Sequence, residues 1–222
     1  MRLAGVRWRA SVSTARLDGA GYRVVRPRRP IRDAVLEEHR FGAEFAVGEA
    51  AAVDFAAAWW LAARSPHSLV HLPLRTPTPE GRPLDLVLLH HRLGFRVANW
   101  KRLRARLSPP AATTVTLPPR PFPVFERADH DRFFHQDFRD HLRYAFAADT
   151  LFLIGSRRAF ELAGEQVRSL AEDGPAQLDA GVHWCAEIGL GPWKPHHRRN
   201  PAALLHVHLR EGRSVTQDWT TP

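Results

Sequence analysis

The chain has 222 residues, 44% of them hydrophobic and 25% charged, with 32 basic against 23 acidic side chains and a net charge of +9. That balance supports a globular core and excludes a disordered or collagen-like chain. The single cysteine, Cys185, excludes an internal disulfide framework, and the longest apolar run, Phe55 to Ala63, is about half of a membrane span.

All but two of the basic residues are Arg; the exceptions are Lys101 and Lys194. Clustered arginine neutralises phosphates and releases their counterions, so nucleic acid or another polyanion is the first partner to consider. A bias toward GC-rich codons raises Arg, Ala, Pro and Gly together without any partner, so only local clustering argues for function. Met1 to Leu17 has four Arg and no acid, and lacks the apolar stretch of a secretory leader. With one thiol in the chain, the expected compartment is cytoplasmic.

Residues 1–30 end in Arg26-Pro27-Arg28-Arg29-Pro30 and predict a basic N-terminal arm, or a strand at Tyr22–Val25 followed by a turn. Glu49–Arg64 predicts a helix: it is Ala-dense, and Val53, Phe55, Trp59 and Ala62/Ala63 fall at helical spacing. Leu69–Leu72 and Leu84–Leu89 read as strands of a hairpin across the turn signal Thr76–Gly81. Ala98–Leu107 reads as a short helix with Trp100, Leu103 and Leu107 on one face. The stretch 108–125 is proline-rich around a β-prone insert, Thr113–Leu117, and is where two lobes would meet.

Glu126–Ala147 predicts a long helix, because Phe134, Phe138, Leu142 and Ala145 lie within about 80° of one another. Thr150–Ile154 reads as a strand, Gly155-Ser156 as a turn, and Arg157–Glu172 as a helix stopped by Gly174-Pro175. Val182–Ile188 and Ala203–Leu209 read as the last two strands. Helices and strands mix without strict alternation. The expected fold is α+β: a mixed or antiparallel sheet packed by three to four helices, with 31–222 as a single domain behind the arm.

Three places could carry chemistry. The helix at Trp100 spreads Lys101, Arg102, Arg104 and Arg106 over its polar faces, where they would contact backbone phosphates. The helix start at Ser156, Arg157 and Arg158 is the second, since a helix N-terminus offers N–H groups to an anion. Arg26–Arg29 and His196-His197-Arg198-Arg199 would add to a shared cationic face. The third is the last strand pair. Alternation puts His183, Cys185 and Glu187 on one face of the first strand, and Leu204, His206 and His208 on one face of the second.

If those strands pair, His183, Glu187, His206 and His208 offer ligands for a divalent metal. Without metal, His206, His208 or His183 could act as a general base. Cys185, beside Trp184, reads as a buried spacer. His130, Asp137 and His141 flank the stripe of the long helix, and Asp131–His135 and Asp137–His141 read as ordinary helix pairs. The expected function is therefore polyanion binding. The alternatives are a metal-dependent or His-based enzyme on the C-terminal strands, and a protein-interaction domain.

Overall fold

The computed structural model describes residues 2–39, 42–75, 82–135, 137–190 and 203–210. The hairpin β1 (Arg7–Leu17) and β2 (Ala20–Pro27) is followed by a second hairpin, β3 (Ala34–His39) and β4 (Gly42–Val47), then helix α1 (Glu49–Arg64). Strands β5 (Ser68–Leu72) and β6 (Asp85–His90) lead to helix α2 (Trp100–Arg104) and strand β7 (Ala111–Thr116). Helix α3 (Arg127–Phe134), strands β8 (Arg143–Phe146) and β9 (Thr150–Gly155), and helices α4 (Arg157–Leu162), α5 (Gly164–Glu172) and α6 (Gly174–Asp179) come next. Strands β10 (Cys185–Leu190) and β11 (Ala203–Leu209) complete the order.

The strands form two mixed sheets, β7-β1-β2-β5-β6-β9-β8 and β10-β11-β4-β3. The pairs β2–β5, β6–β9 and β4–β11 are parallel and the others antiparallel. The fold is α+β, with six α-helices among the described residues where three to four were expected. None of these helices is long and apolar enough to cross a membrane.

Helix α1 is apolar nearly all round, and such a helix is stable only inside a protein. Ala51, Phe55 to Trp59, Ala62 and Ala63 are all buried in it. It packs on α4, α5 and the inner faces of both sheets, in one core that includes Leu36, Phe45, Leu86, Leu153, Ile188 and Val207. An edge-to-face aromatic chain, Phe45–Phe55–Trp59–Phe160, runs through it with centroids 5.1–5.4 Å apart. The indole N–H of Trp59 donates to the Phe160 carbonyl at 2.8 Å. A smaller core on the other face of the long sheet gathers Leu69, Val87, Phe95, Trp100, Leu103 and Phe152.

Several expectations change. The first residues are not a free arm. Arg7–Leu17 and Ala20–Pro27 pair through an Asp18-Gly19 turn whose two residues both have positive φ, the geometry that matches strand twist. The proline-rich stretch 108–125 contains β7, an edge strand laid against β1. The helix expected over Glu126–Ala147 stops at Phe134, where His135 turns extended. Glu126 and Asp129 form a capping box at its start. Beyond it, Arg143–Phe146 fills the open edge of β9 through an Ala148-Asp149 turn, again with both φ positive. Leu142 is still buried, but from an extended segment. Pairing with an existing strand edge outweighs an apolar period that had no helix partner to cover it.

The helix expected over Arg157–Glu172 divides at Ala163, and the ring of Phe122 sits where a Cβ on Gly164 would point. The preceding helix ends at Glu172 as expected, and Gly174-Pro175 also starts α6, with proline in its first turn. The turn at Thr76–Gly81 and the stretch His196–Arg199 lie outside the described residues, as do the side chains of His130 and Phe134.

Candidate functional site

The last two strands pair antiparallel, with Cys185 opposite His208 and Glu187 opposite His206. Opposed residues share a face, with Cβ atoms about 4.5–5.5 Å apart. Ala186, Ile188, Leu205, Val207 and Leu209 are buried on the inner face, so the His, Cys and Glu side chains lie outward. One ligand atom from each of His183, Cys185 and His206 lies within 4.8 Å of the others. The rings of His183 and His206 stack with centroids 6.1 Å apart, and His206 and His208 are 5.5 Å apart. Cys185 is exposed, which corrects its reading as a buried spacer: alternation puts it opposite Ala186, on the wet side.

The sequence reading missed a third contributor from the other end of the chain. Strand β4 runs parallel to β11 and sets Glu44 beside His206; Glu37 on β3 is next in the same row. The Glu44 carboxylate is 3.6 Å from His208 Nδ1, which is buried and has no hydrogen bond. Burial holds the His208 imidazole below its ordinary pKa, opposed by Glu44 and reinforced by His206 and His183. The Cys185 thiol is raised, first by lost hydration and then by the Glu187 carboxylate. Gly42 lets β11 approach: its φ is +139°, and a Cβ there would overlap the Leu204 backbone. Beyond the end of β11, Arg210 binds Asp33 at 2.5 Å.

Four of the five arginines assigned to phosphates on these two helices have carboxylate partners. Arg102 pairs with Asp18 at 2.9 Å and Arg104 with Asp85 at 3.4 Å. Arg157 pairs with Glu161 and Arg158 with Asp129, each at 2.7 Å. Lys101 and Arg106 have no ion pair among the described residues. The start of α4 is also closed by the protein. The Ser156 hydroxyl accepts from the Ala159 N–H at 3.0 Å and donates to Asp140 at 2.6 Å, and the Arg157 N–H donates to His90 Nε2 at 3.2 Å. Asp137 is paired with His135, at 3.4 Å, and not with His141.

A second polar cluster is buried, and its composition alone did not announce it. Asp85 accepts the N–H groups of Leu74 and Arg75 at 3.0 and 3.2 Å and the Arg75 guanidinium at 3.1 Å. His71 Nε2 stands 3.4 Å away from its carboxylate. Desolvation raises the Asp85 carboxyl, but His71 and Arg75 outweigh it and hold the group below the usual carboxylate range. Burial pushes the His71 imidazole down against the pull of Asp85.

No family model, curated protein or solved structure matches this chain.

Proposed function

We propose that His183, Cys185 and His206 bind a zinc-class divalent metal and leave a fourth position to water or substrate. The observation that supports this most is the approach of three ligand atoms, from two strands, to within 4.8 Å of one another. Two imidazoles and a thiolate are the donor set that zinc prefers over magnesium or calcium. Cys185 replaces Glu187 and His208 in the ligand set expected from the sequence. A metal with an open position acts as a Lewis acid and lowers the pKa of bound water. Glu187, exposed and in register with His206, is placed to exchange a proton with that water. The function that follows is metal-dependent chemistry on a substrate reaching the outer face of the four-stranded sheet.

Cobalt titration of chelator-treated protein tests this. Stoichiometric uptake with a thiolate-to-cobalt charge-transfer band is expected, and Cys185→Ser should lose the band while His183→Ala/His206→Ala loses uptake. Sub-stoichiometric uptake by the wild type, or full uptake by the double variant, overturns the proposal.

A further inference from the structure

Four of the five arginines assigned to phosphates near Trp100 and Ser156 are paired, but those of the first hairpin are not. Arg7 and Arg9 alternate with Trp8 and Ala10 on β1. The latter two are buried against the core, with the Trp8 indole N–H donating to Asp54 at 2.8 Å. Arg7 and Arg9 therefore point to the opposite face, and both are exposed. On the neighbouring edge strand Thr116 is in register with Arg7 and Thr114 with Arg9, and both threonines are exposed. On the other side Arg26 is opposite Ser11, and the Arg28 N–H donates to the Arg9 carbonyl at 3.0 Å, which continues the ladder.

Strands β1, β2 and β7 contain no Asp or Glu. Among the described residues Arg7, Arg9, Arg26 and Arg28 have no ion pair. Side chains two apart on a strand are separated by about 6.6 Å, so the exposed Arg7 and Arg9 repel one another with no acid on these strands to offset them; Arg26 is half-buried near His71.

We infer that this face of β7-β1-β2 binds the phosphodiester backbone of nucleic acid. Arginine forks match phosphate oxygens, and the threonine hydroxyls add hydrogen bonds to the same groups. Exposed large hydrophobics among the described residues are Val124, Phe146 and Val182, none of them on these strands. The face thus has neither an apolar wedge for a lipid bilayer nor an aromatic platform for stacked bases. Binding is to the backbone and independent of sequence. The inference does not depend on the metal site, which lies on the other sheet.

Fluorescence anisotropy with a labelled DNA duplex of about 20 base pairs, between about 50 and 200 mM salt, tests it. Wild-type protein should bind with a steep salt dependence. Arg7→Ala/Arg9→Ala/Arg26→Ala should weaken binding at least tenfold, and the salt slope should fall by about one per arginine. Arg102→Ala/Arg157→Ala/Arg158→Ala removes the same charge from paired positions and should bind like wild type. Thr114→Glu/Thr116→Glu places acids beside Arg7 and Arg9 without removing a buried group, and should also weaken binding if the first variant misfolds. Absent binding at the lowest salt, or equal losses in the two arginine triples, overturns the inference. Binding to phosphatidylserine vesicles with no binding to DNA overturns it in favour of a lipid surface.

Discussion

The clusters around Asp85 and around Cys185 each combine histidine with an anionic or ionisable partner, yet they differ in every physical respect. Asp85 is buried, accepts two backbone N–H groups and faces two guanidinium groups. Cys185 is exposed, and its neighbours His183 and His206 turn ring nitrogens toward it from a wet face. In the first cluster the Asp85 carboxylate is committed to backbone N–H and guanidinium groups inside the fold, while both His71 ring nitrogens are buried without a hydrogen bond. The second keeps donor atoms close together and available, which is what a ligand needs. Residue type alone does not separate the two cases; burial does.

That contrast can be broken by exchanging effects between the clusters. The largest effect expected is from Asp85→Ala. It removes the acceptor of the Leu74 and Arg75 N–H groups, leaves Arg104 without its carboxylate and leaves Arg75 with Asp149 only, costing about 2–4 kcal/mol once partial exposure of both arginines is allowed for. Asp85→Asn, which keeps an acceptor for the backbone, should cost less. Urea unfolding measures both, and equal midpoints for Asp85→Ala and wild type would remove the structural role.

A smaller loss, about 1–3 kcal/mol, is expected for Gly42→Ala, because a Cβ there meets the Leu204 backbone at an unfavourable φ. This substitution links fold and site: displacing β11 should also reduce cobalt uptake. Uptake at the wild-type level would show that the ligand set does not depend on the β4–β11 register.

The smallest effect concerns pH. His71 faces Asp85, Arg26 and Arg104, and burial holds it below the ordinary histidine value. As pH falls through about 6.5, the unfolded chain takes up a proton that the folded chain resists, so stability declines toward acid until the folded group itself protonates. His90 and His141 are also lowered and act in the same direction. Thermal melts between pH 7.5 and 5 should therefore show a falling midpoint, with a shallower fall in His71→Leu. An unchanged slope in that variant would place the acid sensitivity elsewhere.

Much of the site was legible from period alone. Ala203–Leu209 alternates so cleanly that His206 and His208 had to share a face, and the observed strand has those limits. Helix α1 matches Glu49–Arg64 at both ends, because an Ala-rich, all-apolar segment ending at Ser65-Pro66 has few alternatives. The β1–β2 hairpin was available too, through Asp18-Gly19, a strong short-range turn signal. The strand β8 was not: Phe134, Phe138 and Leu142 mimic a helical stripe, and Ala148-Asp149 is an unusual pair for a turn with positive φ.

By itself the sequence determined the local periods, the apolar helix at the centre and the alternation that sets His206 and His208 on one face of the last strand. These follow from side-chain geometry within a few residues of one another. Only the tertiary structure decided that Glu44 stands beside His208, and that Asp85 captures Arg104. It also decided that Arg7 and Arg9, not the arginines of α2 and α4, remain without acids. Pairings of that kind join distant segments, and their energies depend on register and burial, which no local pattern encodes.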